Sequence, residues 1–225
     1  MERASADATG AGAVQPTLRT ERLVLRPFRL SDAATVQRLA GERALADTTV
    51  AIPHPYPDGA AEEWISTHAP EYAKGTQATY AITFAAGGEL VGAISLLIFP
   101  AHARGELGYW VAVPHWNQGI ATEAARAVVG FGFEHLKLHR IQAGYFVRNP
   151  ASGRVMEKLR MRFEGIRRGA LKKWDVFEDV AVCAILDSEW GGSMVSHGAG
   201  SPPIPEPDPS EITVIIGGVR PPKSS

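Results

Sequence analysis

The chain has 225 residues, with 23 Lys and Arg against 24 Asp and Glu, seven His and one Cys. That length holds one large domain or two small ones, and a composition 45% hydrophobic and 21% charged is that of an ordinary globular protein with a real core. The net charge of −1 excludes a generally basic nucleic-acid coat, though not a local basic patch, and the single thiol Cys183 excludes an internal disulfide and a multi-thiolate metal site.

Residues 1–16 are small, polar and unpatterned, and read as a disordered arm. They lack the apolar segment of a secretory signal. No stretch approaches the roughly 18 to 20 apolar residues that span a bilayer, so the expected location is cytoplasmic. Thr20 to Arg26 suits a strand that buries one face. Ser31 and Asp32 then read as the cap of a helix through about Gly41, with Ala34, Val36, Leu39 and Ala40 as its stripe. Arg43 to Pro57 shows no clean period, and Pro53, Pro55 and Pro57 make its end a stiff loop. A helix starts near Asp58 and carries Ala61, Trp64, Ile65 and His68 at helical spacing.

From Thr79 the period changes to two. Tyr80–Phe84 and Leu90–Ile98 read as strands joined by a tight turn at Gly87-Gly88. A strand from Gly105 to Val113 ends at Pro114, and a long apolar helix covers Ala121 to Leu136. Arg140–Val147 is a further strand. Asn149 at a cap and Pro150 at the first helical position open a helix to about Leu159. Arg162–Lys172 and Val176–Leu186 close the pattern as a pair of strands. Helices interrupting strands around a central hairpin predict an α+β fold: one mixed sheet with helices on its faces, in a single domain from about 17 to 190. Residues 191–225 read as a Gly/Pro/Ser-rich tail. Its one apolar run, Ile212–Ile216, fits either an added strand or an incidental sticky segment.

The stretch from Glu106 to Ala124 holds the most chemistry. It is strand, turn and helix, and Gly119 and Ala121 leave the backbone at the turn uncovered. The first N–H groups of the helix are then free to face an anion, and the helix dipole adds roughly half a positive charge there. No Lys-Ser/Thr follows the glycine, so this is not a Walker loop. Gly130 and Gly132 lie inside the helix, with His135 where a third glycine would stand, so it is not a dinucleotide fingerprint either. Gly108 within an aromatic and β-branched strand predicts a bulge that would splay that strand from its neighbour.

This block resembles the acetyl-CoA-binding motif of the GCN5-related N-acetyltransferases, and within them the RimJ/RimL-like ribosomal-protein-alanine subfamily. The family pattern Gln/Arg-x-x-Gly-x-Gly/Ala corresponds to Trp116-Asn117-Gln118-Gly119-Ile120-Ala121, with Trp116 a departure that suits the subfamily. Thr20–Pro27, Gly105–Trp110 and Asn149-Pro150-Ala151-Ser152 are similar too. The resemblance implies a mostly antiparallel sheet of about seven strands with about four helices, parted in a V between the Gly105–Val113 and Arg140–Val147 strands. It implies acetyl-CoA as co-substrate, no metal, and a primary amine as acceptor, either a small molecule or the N-terminus of a ribosomal or other protein. The backbone of Trp110, Val111 and Val113 would face the pantetheine arm. The amides of Gln118, Gly119, Ile120, Ala121, Thr122 and Glu123 would hold the pyrophosphate, and Asn149 would contact the arm.

Glu106 is the implied general base, although a strand-end Glu also fits a plain surface position. Ser152 either donates a proton to the leaving sulfur or only contacts the cofactor. The family's more widespread acid is a later Tyr, and no Tyr occurs between Ser152 and Leu186. Tyr56 and Trp64 would sit over the amine, with packing as the equal alternative, and His54 is a second candidate base. At neutral pH a lysine amine is neutral in about one molecule in 2,500, against roughly one in seven for an α-amine. One modest carboxylate base therefore suits α-amines. Basic residues from Arg148 to Lys173 read as solvated, some of them near a cofactor phosphate. Cys183 lies in an apolar strand and suits a buried, inert thiol, so direct transfer in a ternary complex is expected. A silent acyl-CoA-binding module and an antibiotic or polyamine acetyltransferase are the competing readings. Neither nucleic acid nor membrane is an expected partner, and the chain is expected to be a monomer or homodimer.

Overall fold

Two layers of helix enclose one sheet in the computed structural model, which describes residues 14–191. The expectations for residues 1–13 and for the tail beyond 191, including Ile212–Ile216, lie outside the described residues. The strands are β1 (Leu18–Arg19), β2 (Leu23–Arg26), β3 (Gln77–Phe84), β4 (Leu90–Phe99), β5 (Arg104–Val111), β6 (Arg140–Phe146), β7 (Arg162–Lys173) and β8 (Val176–Leu186). The helices are α1 (Ala33–Ala40), α2 (Arg43–Asp47), α3 (Ala60–Ala73), α4 (Ile120–Glu134) and α5 (Pro150–Lys158). The strand order is β1-β2-β3-β4-β5-β6-β8-β7, antiparallel throughout except for the parallel pair β5–β6.

Period-two alternation sorts the sheet's side chains onto two cores. On one face Leu96, Leu107, Val111 and Ile141 meet Ile120, Ala124 and Val128 of α4 and Met156 of α5. On the other, Ala81, Ala93 and Trp110 meet Val36 of α1, Leu45 of α2 and Trp64 and Ile65 of α3. Gly92 allows β4 and β5 to lie close, since a Cβ there would stand 2.4 Å from the carbonyl oxygen of Trp110.

Five local expectations are corrected. The strand expected over Thr20–Arg26 starts only at Leu23, with Thr20–Arg22 forming a turn after β1, because the Thr20 hydroxyl bonds within the turn to Leu23 and across to Glu123 of α4. Asp32 does not cap α1: its carboxylate takes a bidentate pair from Arg26 and the amide of Arg29, which closes a preceding 3₁₀ turn (Leu30–Asp32) instead. The unpatterned segment after Arg43 begins with α2. β5 stops at Val111, and Val113 falls in a 3₁₀ turn, Val113–His115. The ladder between β4 and β5 is continuous from Arg104 to Val111, so it carries no bulge at Gly108. The two extra short elements, β1 and α2, raise the count among the described residues to eight strands and five helices.

Candidate active site

β5 and β6 pair at only three positions, Arg104↔Arg140, Gly105↔Ile141 and Glu106↔Gln142. Beyond them β5 stays with β4 and β6 with β8. The expected parting of these two strands is therefore present, and it begins at Glu106. The amide of Ala112 donates to Val91 at 2.8 Å, so in the antiparallel ladder the backbone of Trp110 also faces β4. The backbones of Tyr109 and Val111 face the gap instead. The Val111 carbonyl is already engaged there, accepting the indole N–H of Trp116 at 2.6 Å.

The gap opens onto the N-terminus of α4. Asn117 (φ 60°) and Gly119 (φ 78°) both adopt the left-handed conformation, tolerated by Asn and free for Gly, and curl the chain into a concave turn. The first bond into the helix runs from the Glu123 amide to Gly119, so the amides of Ile120, Ala121 and Thr122 have no helical acceptor. The Glu123 side chain points the other way, onto the β1–β2 turn. It accepts from the Thr20 hydroxyl at 2.6 Å, the Arg22 amide at 2.9 Å and Arg22 Nε at 2.7 Å. Burial alone would raise this carboxyl, but those donors outweigh it and hold the group below its ordinary value. Arg22 also donates to the Gln118 carbonyl, and its second nitrogen lies 3.5 Å from where a Gly119 Cβ would stand. Arg22 thus braces the turn from outside, a role that its place in a patterned strand did not announce.

A cleft of about 490 Å³ follows the gap. Its walls include Trp116, Asn117, Gly119–Thr122, Asn149 and Ser152, together with Tyr109–Val111. Asn149 is the helix cap expected of it, accepting from the Ser152 amide at 3.3 Å. The Ser152 hydroxyl lies 2.6 Å from that of Tyr109. Leu45, Thr48 and Thr49 line the cleft from the α2 side, so the opening passes through the sheet. Gln118, Glu123, Val113 and Glu106 are not among the wall residues; the Gln118 carboxamide donates to the Pro114 carbonyl.

Glu106 has the parity of Trp110, and its side chain is therefore on the α1–α3 face, opposite Tyr109 and Ser152. It is 5% exposed and accepts from the Gln142 carboxamide at 3.1 Å. It is buried, not a surface strand end. Trp64 and Tyr56 do not stand at the cleft. Trp64 packs edge-on against Phe28 and His68, and Tyr56 packs against the α1–α3 core near Gly41. His54 shares a hydrogen bond with the Gly41 carbonyl and is likewise off the walls. Arg154 and Lys158 of α5 are the members of the late basic cluster that reach the cleft. Arg148 pairs with Asp47 and Glu178, and Arg162 with Glu189. Cys183 is buried, and burial pushes its thiol up. Among the described residues no group of three or more His, Cys, Asp or Glu could hold a metal, and no helix is long and apolar enough to cross a membrane.

The family model of the acetyltransferase (GNAT) domain matches residues 22–162, from the brace at Arg22 to the first residue of β7. The chain belongs to the GNAT acetyltransferase family. It is 42% identical over 112 residues to YjcK, a probable N-acetyltransferase of Bacillus subtilis, covering 49% of this chain and 62% of that one. It is 33% identical over 103 residues to the ribosomal-protein-serine acetyltransferase of Escherichia coli, covering 45% and 58%. The chain thus spans less than two thirds of either of these curated relatives. Mycobacterium smegmatis RimJ, solved in complex with CoA-disulfide, superposes with a TM-score of 0.67 at 26% identity, covering 79% of this chain and 89% of that one. The residues that the resemblance singled out thus stand in a GNAT fold, with Thr48, Thr49 and Tyr109 added to the cleft. Thr48 and Thr49 follow a five-residue helix, too short to show a period.

Proposed function

We propose that the protein, through a domain spanning residues 17–190, transfers an acetyl group from acetyl-CoA to a primary amine by direct attack in a ternary complex. The observation that carries this reading is the parting of β5 from β6 beside the bare amides of α4. A diphosphate suits the concave turn at Asn117–Gly119, where unpaired N–H groups and the helix dipole supply positive potential. Arg154 and Lys158 offer further positive charge on the same wall. The backbone of β5 at Tyr109 and the Val111 amide, which face the gap, suit an amide-bearing arm, while the Val111 carbonyl is held by Trp116. Asn149, already serving as a cap, also lines that wall. Acetyl-CoA, when bound, supplies an acyl carbon activated by a good leaving group.

On the opposite face Glu106 takes the proton of the incoming amine, directly or through one water, with Gln142 holding its carboxylate. Ser152 donates a hydrogen bond to the departing sulfur. Cys183, buried with a raised thiol pKa, is not used. The acceptor is an α-amine, since its neutral form is within reach of one carboxylate. The name of the Escherichia coli relative supports a ribosomal-protein N-terminus, and cytoplasmic residence goes with that acceptor.

The test is thiol release from acetyl-CoA across N-terminal peptides, amino acids, polyamines and aminoglycosides. Peptides with a free α-amine are expected to turn over and N-acetylated ones not. Glu106→Gln is expected to lower kcat at neutral pH by about 10²-fold or more. The loss should shrink as pH rises and the amine deprotonates unaided. Wild-type turnover by this variant at pH 7 would remove Glu106 from the mechanism. CoA binding with no thiol release on any amine would leave a binding module.

A further inference from the structure

The hydroxyls of Tyr109 and Ser152 are 2.6 Å apart on the cleft wall, on the α4 face of the sheet. A single hydrogen lies between two such oxygens, so one hydroxyl must donate and the other accept. The phenol is the stronger acid of the two and hence the better donor; the aliphatic hydroxyl is the better acceptor. Burial pushes the Tyr109 phenol above its ordinary value, which keeps it protonated across the physiological range. Either hydroxyl can donate in this geometry, and this order of acidity favours Tyr109 as the donor to Ser152 Oγ.

The hydrogen on Ser152 itself must then point elsewhere. Among the described residues Tyr109 is the hydroxyl's hydrogen-bond partner, and the Ser152 amide is taken by the Asn149 cap. The remaining direction is the open cleft. Tyr109 is held for this task by its strand. Its ring packs on the α4 core, and its backbone belongs to an unbroken ladder with β4.

We propose that Tyr109 is a positioning residue that fixes the Ser152 hydroxyl with its hydrogen directed into the cleft, so that Ser152 meets the cofactor's sulfur as a donor. This rests on the reading of Ser152 given above and adds what makes its direction fixed. The device transfers no proton. Tyr109 keeps its hydrogen, and Ser152 lends its own to the negative charge that gathers on sulfur. Without the phenol, the serine hydroxyl could rotate and present a lone pair to that charge.

CoA alone is the probe, which makes the test independent of the acceptor. The pKa of its thiol when bound is read from ultraviolet thiolate absorbance over a pH series, with calorimetry reporting CoA affinity. A donor aimed at sulfur is expected to hold the bound thiol below that of free CoA. Ser152→Ala should raise it by about one unit, and Tyr109→Phe by a similar amount. The double variant should shift it no further than Ser152→Ala alone. An unchanged thiol in Ser152→Ala would overturn the donor reading of Ser152 and this inference with it. A shift in Ser152→Ala but none in Tyr109→Phe would overturn the inference and leave Ser152 standing. Full additivity in the double variant would also overturn it, since Tyr109 would then act on its own. Should Tyr109→Phe fail to bind CoA, 2,3-difluorotyrosine at position 109 decides. Its more acidic phenol keeps the shape and should lower the bound thiol further; no change would overturn the inference.

Discussion

His68 is 4% exposed, and neither ring nitrogen has a hydrogen-bond partner among the described residues. It packs edge-on to Trp64 at 4.5 Å and tilted to Phe28 at 5.3 Å. Burial pulls its pKa down to about 4 from an ordinary 6.5. In the unfolded chain the ring takes its proton near 6.5; in the folded chain it does not until about 4. Stability from this group is therefore complete above pH 6.5 and lost as pH falls toward 4, by about 3 kcal/mol. Urea melts at pH 7 and at pH 4.5 should show most of that loss, and His68→Leu should show less of it. Equal acid sensitivity in the two proteins would mean that other groups carry it. At this scale the sequence was a partial guide. Gly119 and Asn149 could be placed because backbone chemistry marks a bare helix start and a cap, whereas Glu106 and Ser152 were named by the family resemblance alone. Trp64 could not, because helical spacing says which residues share a stripe but not whether that stripe meets a cleft or a core. Tyr109 was hidden for the same reason: alternation assigns a face, and its partner Ser152 is 43 residues away.

At the scale of elements, the start of α4 is held from outside by the β1–β2 turn. Glu123 gathers Thr20 and Arg22, and Arg22 reaches the Gln118 carbonyl. The pair is partly solvent-facing, with Arg22 48% and Glu123 18% exposed, so it adds less than about 1 kcal/mol to stability. Its effect falls on geometry. Arg22→Ala is expected to raise KM for acetyl-CoA several-fold, more than it lowers kcat, with Arg22→Lys recovering part of the loss. An unchanged KM would show that the turn holds its shape without the brace. This contact also explains why the strand expected over Thr20–Arg26 starts late: a helix about a hundred residues away recruits its first residues as a turn. No local propensity carries that information. α2 escaped for a different reason, since five residues complete little more than one helical turn. The long elements, α3, α4 and the strands from β3 to β8, show enough repeats of their period to be placed within a few residues of where they occur.

Across the whole molecule, residues 43–52 cross from one half of the parted sheet to the other. Leu45, Ala46 and Ile52 pack with Trp110, while Val50 packs with Phe146 and Val180. Arg148, just past β6, binds the Asp47 carboxylate and carbonyl at 2.8 and 2.7 Å. Lys173, 5% exposed, donates to the carbonyl of Ile52 at 2.8 Å. Arg148→Ala should release the crossing at one end. Hydrogen exchange at residues 45–52 is expected to quicken while that of β3 and β4 stays as in the wild type. Uniform quickening would indicate global loss of stability instead. None of this crossing could be read from the sequence, because ion pairs between distant segments leave no periodic trace.

With only three residue pairs stitching β5 to β6, the slot between the strands is a seam left partly unsewn. Whatever wedges into it acts as mortar, supplying hydrogen bonds and apolar contact that the polypeptide itself omits there. A CoA-shaped occupant is then part of the architecture as much as a reactant. The melting temperature should climb with CoA concentration, each tenfold increase above the dissociation constant adding about 1.4 kcal/mol. The Val147 amide donates to the Asp179 carbonyl of β8, so the backbone of Tyr145 also faces β8, and the amides of Gly144 and Phe146, which face the seam, should gain protection first. A protein whose melting is indifferent to saturating CoA would have its seam closed by other means.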